Sequence, residues 1–190
     1  MMTPVGVLLA AGLGRRFDAS GARNKLMARL PDGTPVVLRS LATMLQALPR
    51  VIAVVRETDA EVLALLGKSA AQIVTVPAAN AGMGESIAAA VEASAEQDGW
   101  LIALGDMPYI RAETIARLAE CLPGEEEIVV PSYRGRRGHP VFFGGKYREE
   151  LRSLRGDTGG RRITRDNAVR LVEVDDPGIL LDVDTPEDLD

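Results

Sequence analysis

Cysteine is almost absent from this chain: Cys121 is the only one in 190 residues. A single thiol excludes an internal disulfide and any cysteine-rich metal framework, and it fits a reducing compartment. It stands near a helix end in LAECLP, where packing rather than nucleophilic attack is the expected role. Aromatic residues make up only 4%, and there is one histidine, His139. Also missing is any apolar run near the roughly 18 residues that cross a bilayer. The apolar start VGVLLAAG has no basic stretch before it, so it is expected to be a buried strand of a cytoplasmic protein. Positive charge is short too: 22 Lys and Arg against 27 Asp and Glu leave a net charge of −5. The surface as a whole should then repel nucleic acid and anionic lipid, and an anion site has to be local. Internal repeats, low-complexity tracts and linkers are likewise absent, which predicts one domain over residues 1–190.

What is present is a rhythm. The runs VGVLLA (5–10), VIAVV (51–55), QIVTV (72–76), WLIALG (100–105) and EIVVP (127–131) read as strands buried on both faces. Between them PVVLRSLATMLQAL, TDAEVLALLG, GESIAAAVEASAEQ and RAETIARLAECL place apolar residues at helical spacing, with Thr58 or Asp59 at the start of the second helix. Met44, Leu45 and Leu48 fall on an apolar face expected to be core. The βαβα order predicts an α/β fold with a mainly parallel sheet and helices on both faces. Ligands in such a fold lie beyond the carboxyl ends of the strands. After Pro131 the rhythm breaks: PSYRGRRGHPVFFGG reads as a small extended insertion, two strands around a Gly/Arg turn. The end, LVEVDD to ILLDVDTPEDLD, reads as one or two strands and a helix start at Pro186.

The loop after the first strand concentrates charge. Arg15, Arg16, Arg23 and Lys25 stand against one acid, Asp18, and Gly12 and Gly14 let backbone N–H groups approach a ligand closely. The dinucleotide pattern G-x-G-x-x-G fails at Phe17, and the P-loop pattern is absent.

LLAAGLGRRF followed by NKL resembles the first motif of the nucleotidyltransferase fold shared by molybdenum-cofactor guanylyl- and cytidylyltransferases and sugar-phosphate nucleotidyltransferases. GMGES (82–86), LGDMP (104–108), RGHPVFF (137–143) and DVDTPEDL (182–189) extend the resemblance over almost the whole chain in the family's order. It looks most like molybdenum cofactor cytidylyltransferases. The spacer FDASGARN is longer than in most members, which leaves the contacts of Arg23 and Asn24 open. The resemblance implies a Rossmann-like nucleotidyltransferase fold. It implies a reaction in which CTP and molybdenum cofactor (molybdopterin) give a CMP-linked product and pyrophosphate with Mg²⁺. The implied nucleotide loop is Ala10, Ala11, Gly12, Leu13, Gly14 and Arg15, with Gly12, Gly14 and Arg15 on the β- and γ-phosphates and Lys25 toward the α-phosphate. Ala10-Ala11-Gly12 with Gly82, Gly84 and Ser86 is the cytidine-type pairing. The other reading of GMGES is a glycine turn with Ser86 capping a helix.

Asp106 ends a buried strand, and Asp182 and Asp184 are two apart in an extended DVD. The resemblance makes Asp106 and Asp184 the Mg²⁺ ligands, with Asp182 in reserve; oxygen donors suit that ion. Glu187 and Asp188 are expected to be capping acids. Lys25, Arg15 and Asp106 are the expected catalytic groups. His139 and Arg137 are expected at the acceptor, while Arg134 and Arg136 are either acceptor contacts or solvated turn residues. The GDTGGRR loop (156–162) carries no assignment. Other readings are a sugar- or alcohol-phosphate acceptor, a glycosyltransferase using DVD, or a carrier that holds the cofactor for a molybdoenzyme or its maturation protein.

Overall fold

The computed structural model describes residues 4–12, 14, 17, 24–80, 82–121, 124 and 127–189. The first half alternates β1 (Val5–Ala10), α1 (Val36–Ala47), β2 (Val51–Arg56), α2 (Ala60–Leu66), β3 (Gln72–Val76), α3 (Met83–Glu92), β4 (Gly99–Leu104) and α4 (Ala112–Glu120). Then come β5 (Ile128–Tyr133), β6 (Arg136–Arg137), β7 (Val141–Gly144), α5 (Arg148–Arg152), α6 (Arg161–Asp166) and β8 (Arg170–Glu173).

Among the described residues these strands form one eight-stranded sheet in the order β3-β2-β1-β4-β7-β5-β6, with β8 beside β5. β1 pairs in parallel with β2 and β4, and β2 with β3. β7 runs antiparallel between β4 and β5, while β8 is parallel to β5. The sheet is therefore mixed but mostly parallel. Its two faces follow from the period-two alternation of strand side chains. Val51, Ala53 and Val55 pack with Leu41 and Met44 of α1, Val62 and Leu66 of α2, and Ile115 and Leu118 of α4. Ile52 and Val54 pack on the opposite side with Ile87 and Val91 of α3, Leu151 of α5 and Ile163 of α6. In α1 to α4 the buried residues recur three or four apart, so one stripe is buried and the rest meets water, while α5 and α6 each bury one residue, Leu151 and Ile163. Burying each such side chain contributes about 1.5–3 kcal/mol. No helix among the described residues is long and apolar enough to cross a membrane.

The extended insertion is a hairpin. Arg134 (φ 51°) and Gly135 (φ 77°) form its two-residue turn between the paired Tyr133 and Arg136. Positive φ at both central positions is the turn geometry whose twist matches antiparallel strands.

Two expectations need correction. β3 is not buried on both faces: it is the edge strand, and of its residues only Val76 is buried. The DVD segment is no sheet strand, and the final helix is a short 3-10 turn at Pro186–Leu189 preceded by another at Pro177–Leu180. Competing hydrogen bonds explain this. The backbone N–H of Val183 donates to Asp106 O at 2.8 Å, and those of Asp184 and Thr185 donate to Asp188 Oδ2, so these donors are taken from any ladder.

Candidate active site

β1 and β4 are parallel neighbours, so their carboxyl ends lie side by side at the edge of the sheet where ligands bind in folds of this kind. The loop that leaves β1 at Ala10 holds Ala11 buried and Gly12 exposed, with open space where a Gly12 Cβ would stand. Gly14 has φ +59°, and a Cβ there would lie 3.1 Å from Lys25 Cγ, so this glycine lets the loop lie against the lysine's stem. Leu13, Arg15, Arg16 and Arg23 lie outside the described residues.

Lys25 opens a short 3-10 turn, Lys25–Met27, whose base is held by Asn24. Asn24 Oδ1 accepts from the Leu26 N–H at 3.0 Å, and its Nδ2 donates to Asp59 Oδ2 at 2.8 Å. Asp59 in turn caps α2 through Val62 N–H and accepts from Arg56 Nη2 at 3.4 Å. The lysine is thus tied at its root to the corner between β2 and α2.

Its ammonium meets two carboxylates. Nζ donates to Asp106 Oδ2 at 2.5 Å and to Asp184 Oδ1 at 3.1 Å, with the three side chains 11%, 18% and 21% exposed. Burial pulls the lysine pKa down, but the charge and hydrogen bond of Asp106, joined by Asp184, outweigh it and hold the pKa above 10.5. Lys25 is therefore a cation at neutral pH.

Backbone bonds bring these distant acids together. Gly105 N–H donates to Leu9 O at 2.9 Å, which continues the β1–β4 ladder by one bond past β4, and Gly105 O accepts from Ser40 Oγ at 3.0 Å. Asp106 O then accepts from Val183 N–H and draws in the DVD segment. Asp176, 2% exposed, anchors the chain just upstream by accepting from Arg111 N–H (2.9 Å), Thr114 Oγ1 (2.7 Å) and Gly178 N–H (2.9 Å).

One ligand oxygen from each of Asp106, Asp182 and Asp184 lies within 4.8 Å of the others. Asp106 Oδ1 is buried with no hydrogen-bond partner among the described residues. An orphaned buried carboxylate oxygen beside two further carboxylates is a donor set that fits a hard divalent cation. Burial, with the charges of Asp184 and Asp106, raises the Asp182 pKa, as expected where like charges crowd together.

His139 enters the same side of the fold, its N–H bonded to Ile179 O at 3.0 Å. Burial lowers its pKa, the Asp106 charge partly restores it, and the Arg161 charge lowers it further. The ring is neutral at neutral pH, and its buried Nδ1 has no partner among the described residues. Of the arginines on the hairpin, Arg134 stacks over the Tyr133 ring at 5.1 Å and its backbone N–H bonds Glu173. Arg136 and Arg137 are exposed on β6.

The second predicted loop is occupied by protein. Gly82 is the N-cap of α3, and the Ser86 hydroxyl, buried, donates to Gly82 O at 2.9 Å. Gly84 N–H donates to Gly156 O at 2.8 Å, and Glu85 Oε1 accepts from Gly156 N–H at 2.8 Å. A Cβ on Gly84 would lie 2.6 Å from Arg155 N. The unassigned GDTGGRR segment is therefore a strap over the start of α3, and the Gly84 N–H that the helix N-terminus would offer an anion is already taken.

The structure brings together Lys25, Asp106 and Asp184, all three named from the sequence, through supports that the sequence reading did not name. Asp176 had a readable signal, since Asp before Pro initiates turns. The Asn24–Asp59 bond had none beyond the capping role of Asp59.

Comparison with known proteins places these features in a family. The profile of the MobA-like NTP transferase domain matches residues 6–173. The chain is 29% identical over 199 residues to the purine catabolism protein PucB of Bacillus subtilis (strain 168), covering 98% of this chain and 94% of that protein. It is 31% identical over 194 residues to nicotine blue oxidoreductase of Paenarthrobacter nicotinovorans, with 97% and 93% covered. Among solved structures, Rv0371c of Mycobacterium tuberculosis H37Rv superposes with a TM-score of 0.83 at 28% identity, over 98% of this chain and 96% of that one. Rv0371c has also been solved as a complex with manganese.

Proposed function

The chain belongs to the MobA-like NTP transferase family, and from that premise we propose that it transfers CMP from CTP to the phosphate of a molybdopterin-type cofactor, releasing pyrophosphate. The observation that carries the reading is the Lys25 ammonium set between Asp106 and Asp184 at the carboxyl ends of β1 and β4. In the reaction an acceptor phosphate oxygen, already ionised at neutral pH, attacks the α-phosphorus. The bond from that phosphorus to the oxygen bridging to the β-phosphate breaks, and its electron pair leaves with pyrophosphate. No proton has to move, which agrees with a neutral His139 that serves binding and not acid–base catalysis.

Charge builds on the α-phosphoryl oxygens and on the leaving pyrophosphate, so fixed cations and N–H groups there stabilise the transition state more than the ground state. Lys25 takes the α-phosphate, and the Gly12, Gly14 and Arg15 loop takes the β- and γ-phosphates. Asp106 and Asp184 hold Mg²⁺, with Asp182 the third carboxylate in reach. An ion held there would supply charge neutralisation for the phosphate oxygens; manganese in Rv0371c supports a divalent ion for the fold. His139 and Arg137 face the acceptor in this reading. Ala10-Ala11-Gly12 supports CTP over GTP, and the product passes to a molybdoenzyme or its maturation protein.

The name of the Paenarthrobacter relative makes hydride transfer the reading to set against this one. The test is pyrophosphate release with Mg²⁺ and purified molybdenum cofactor, offering CTP, GTP and ATP separately, with a parallel assay of NADH and NADPH oxidation. CTP-specific release that Asp106→Asn abolishes in a folded protein is the expected result. Equal release with GTP removes the base assignment. Release with a sugar or alcohol phosphate alone moves the acceptor, and cofactor binding without any release makes the chain a carrier.

A further inference from the structure

The Lys25 ammonium and a divalent ion compete for the same carboxylates. Nζ lies 2.5 Å from Asp106 Oδ2 and 3.1 Å from Asp184 Oδ1. Ligand atoms of those two carboxylates and of Asp182 converge within 4.8 Å of one another. Magnesium draws its oxygens to about 2.0–2.1 Å, so an ion ligated there and an ammonium bonded to the same two carboxylates would be cations a few ångströms apart with little water between them. Each therefore weakens the other's hold on the cluster.

We infer that Lys25 is the resident cation of the nucleotide-free enzyme, holding the metal seat until a triphosphate draws it away, so that metal entry and phosphate grip are one exchange. The inference rests on the nucleotidyl-transfer reading and adds an order of binding to it. Three features carry it. The ammonium bonds both carboxylates directly, Asp106 at 2.5 Å and Asp184 at 3.1 Å. Its stem lies against Gly14, in the same loop that would hold the triphosphate, so the group that leaves the carboxylates is already beside its second partner. The exchange also loses nothing in charge: the ammonium trades Asp106 and Asp184 for phosphate oxygens, and the carboxylates trade a monovalent cation for a divalent one.

A lysine that only grips phosphate would leave metal affinity unchanged when removed, and one that only braces the fold would weaken everything together. A resident counter-cation gives opposite signs: Lys25→Met binds metal more tightly and nucleotide more weakly.

The experiment is Mn²⁺ binding followed by electron paramagnetic resonance, with and without a CTP analogue carrying a methylene bridge between the α- and β-phosphates. Wild type, Lys25→Met and Asp106→Asn are compared, each checked for its thermal transition. Without nucleotide, Lys25→Met is expected to bind Mn²⁺ about tenfold more tightly than wild type, the factor equal to about 1.4 kcal/mol. The analogue should tighten Mn²⁺ binding to wild type by about tenfold or more, and to Lys25→Met by much less. Mn²⁺ binding to Lys25→Met that equals or falls below wild type overturns the exchange while leaving the transfer reading in place. Should Lys25→Met not fold, wild type alone decides: Mn²⁺ affinity that ignores the analogue overturns the exchange. Mn²⁺ binding that Asp106→Asn leaves intact overturns the metal assignment and the inference together.

Discussion

Replacing Gly84 by alanine sets two effects of opposite sign against each other. In an open helix the change stabilises, because glycine costs about 0.5–1 kcal/mol relative to alanine there. At Gly84 the new Cβ would stand 2.6 Å from the N, 2.8 Å from the C and 2.9 Å from the Cα of Arg155, all main-chain atoms that no rotamer change can move. Overpacking of this kind costs about 1–3 kcal/mol. Moving Arg155 aside also strains the bonds Gly84 N–H to Gly156 O and Gly156 N–H to Glu85 Oε1, each 2.8 Å long and each worth about 0.5–1.5 kcal/mol. The clash wins, with a net loss of about 2 kcal/mol. For a chain of this size that lowers the thermal midpoint by about 4–8 °C. Calorimetry checks it, with Gly124→Ala as control, since nothing lies within 4 Å of a Cβ built at Gly124. An unshifted or raised midpoint for Gly84→Ala would refute the packing argument and return this glycine to ligand contact.

Asp176→Ala should destabilise by about 3 kcal/mol, since it leaves Arg111 N–H, Thr114 Oγ1 and Gly178 N–H without their buried acceptor, at about 1–3 kcal/mol for each group not reached by water; urea midpoints report it. His139 adds a pH dependence. Its folded pKa is depressed by burial, so the unfolded chain takes up the proton first, and stability declines as pH falls below about 6.5 toward the folded value. Comparing urea midpoints at pH 7.5 and 5.0, His139→Gln should lose less than wild type; an equal loss in both refutes the assignment. Asn24→Ala removes the cap under Lys25 and should lower kcat/KM by about tenfold with a small change in thermal midpoint, a factor that corresponds to about 1.4 kcal/mol of lost positioning.

The parallel half of the sheet was legible because burial on two faces writes itself into composition: VIAVV and WLIALG are apolar throughout, and the helices between them carry a clear stripe. β3 was misjudged because an edge strand whose two faces are only partly covered, by Ile73 on one side and Val74 on the other, can still be rich in β-branched residues. GMGES shows a deeper limit. A glycine says only that a side chain is unwelcome, and the excluded volume belongs equally well to a ligand or to another stretch of main chain. At Gly84 it belongs to Arg155, whose approach is a tertiary fact with no local signature. The same holds for the lysine: Asp106 is 81 residues away and Asp184 is 159, so their union rests on strand order and not on spacing.

The acids at the end of the chain show how one short turn divides similar residues between structure and chemistry. Asp188 Oδ2 accepts from the N–H groups of Asp184 and Thr185 and from the Thr185 hydroxyl, and these bonds, the Thr185 N–H foremost, hold its carboxyl below the usual range. A capping acid was the expectation for that position, and the physics is that of any carboxylate facing backbone N–H groups. By closing the turn, Asp188 fixes the backbone of Asp184, whose own carboxylate then faces Lys25. Asp182, two residues earlier, reaches the same cluster through the alternation of an extended segment, although that segment pairs with no strand. The two acids therefore converge without sheet membership, because the buried Val183 between them turns its neighbours' side chains away from the core.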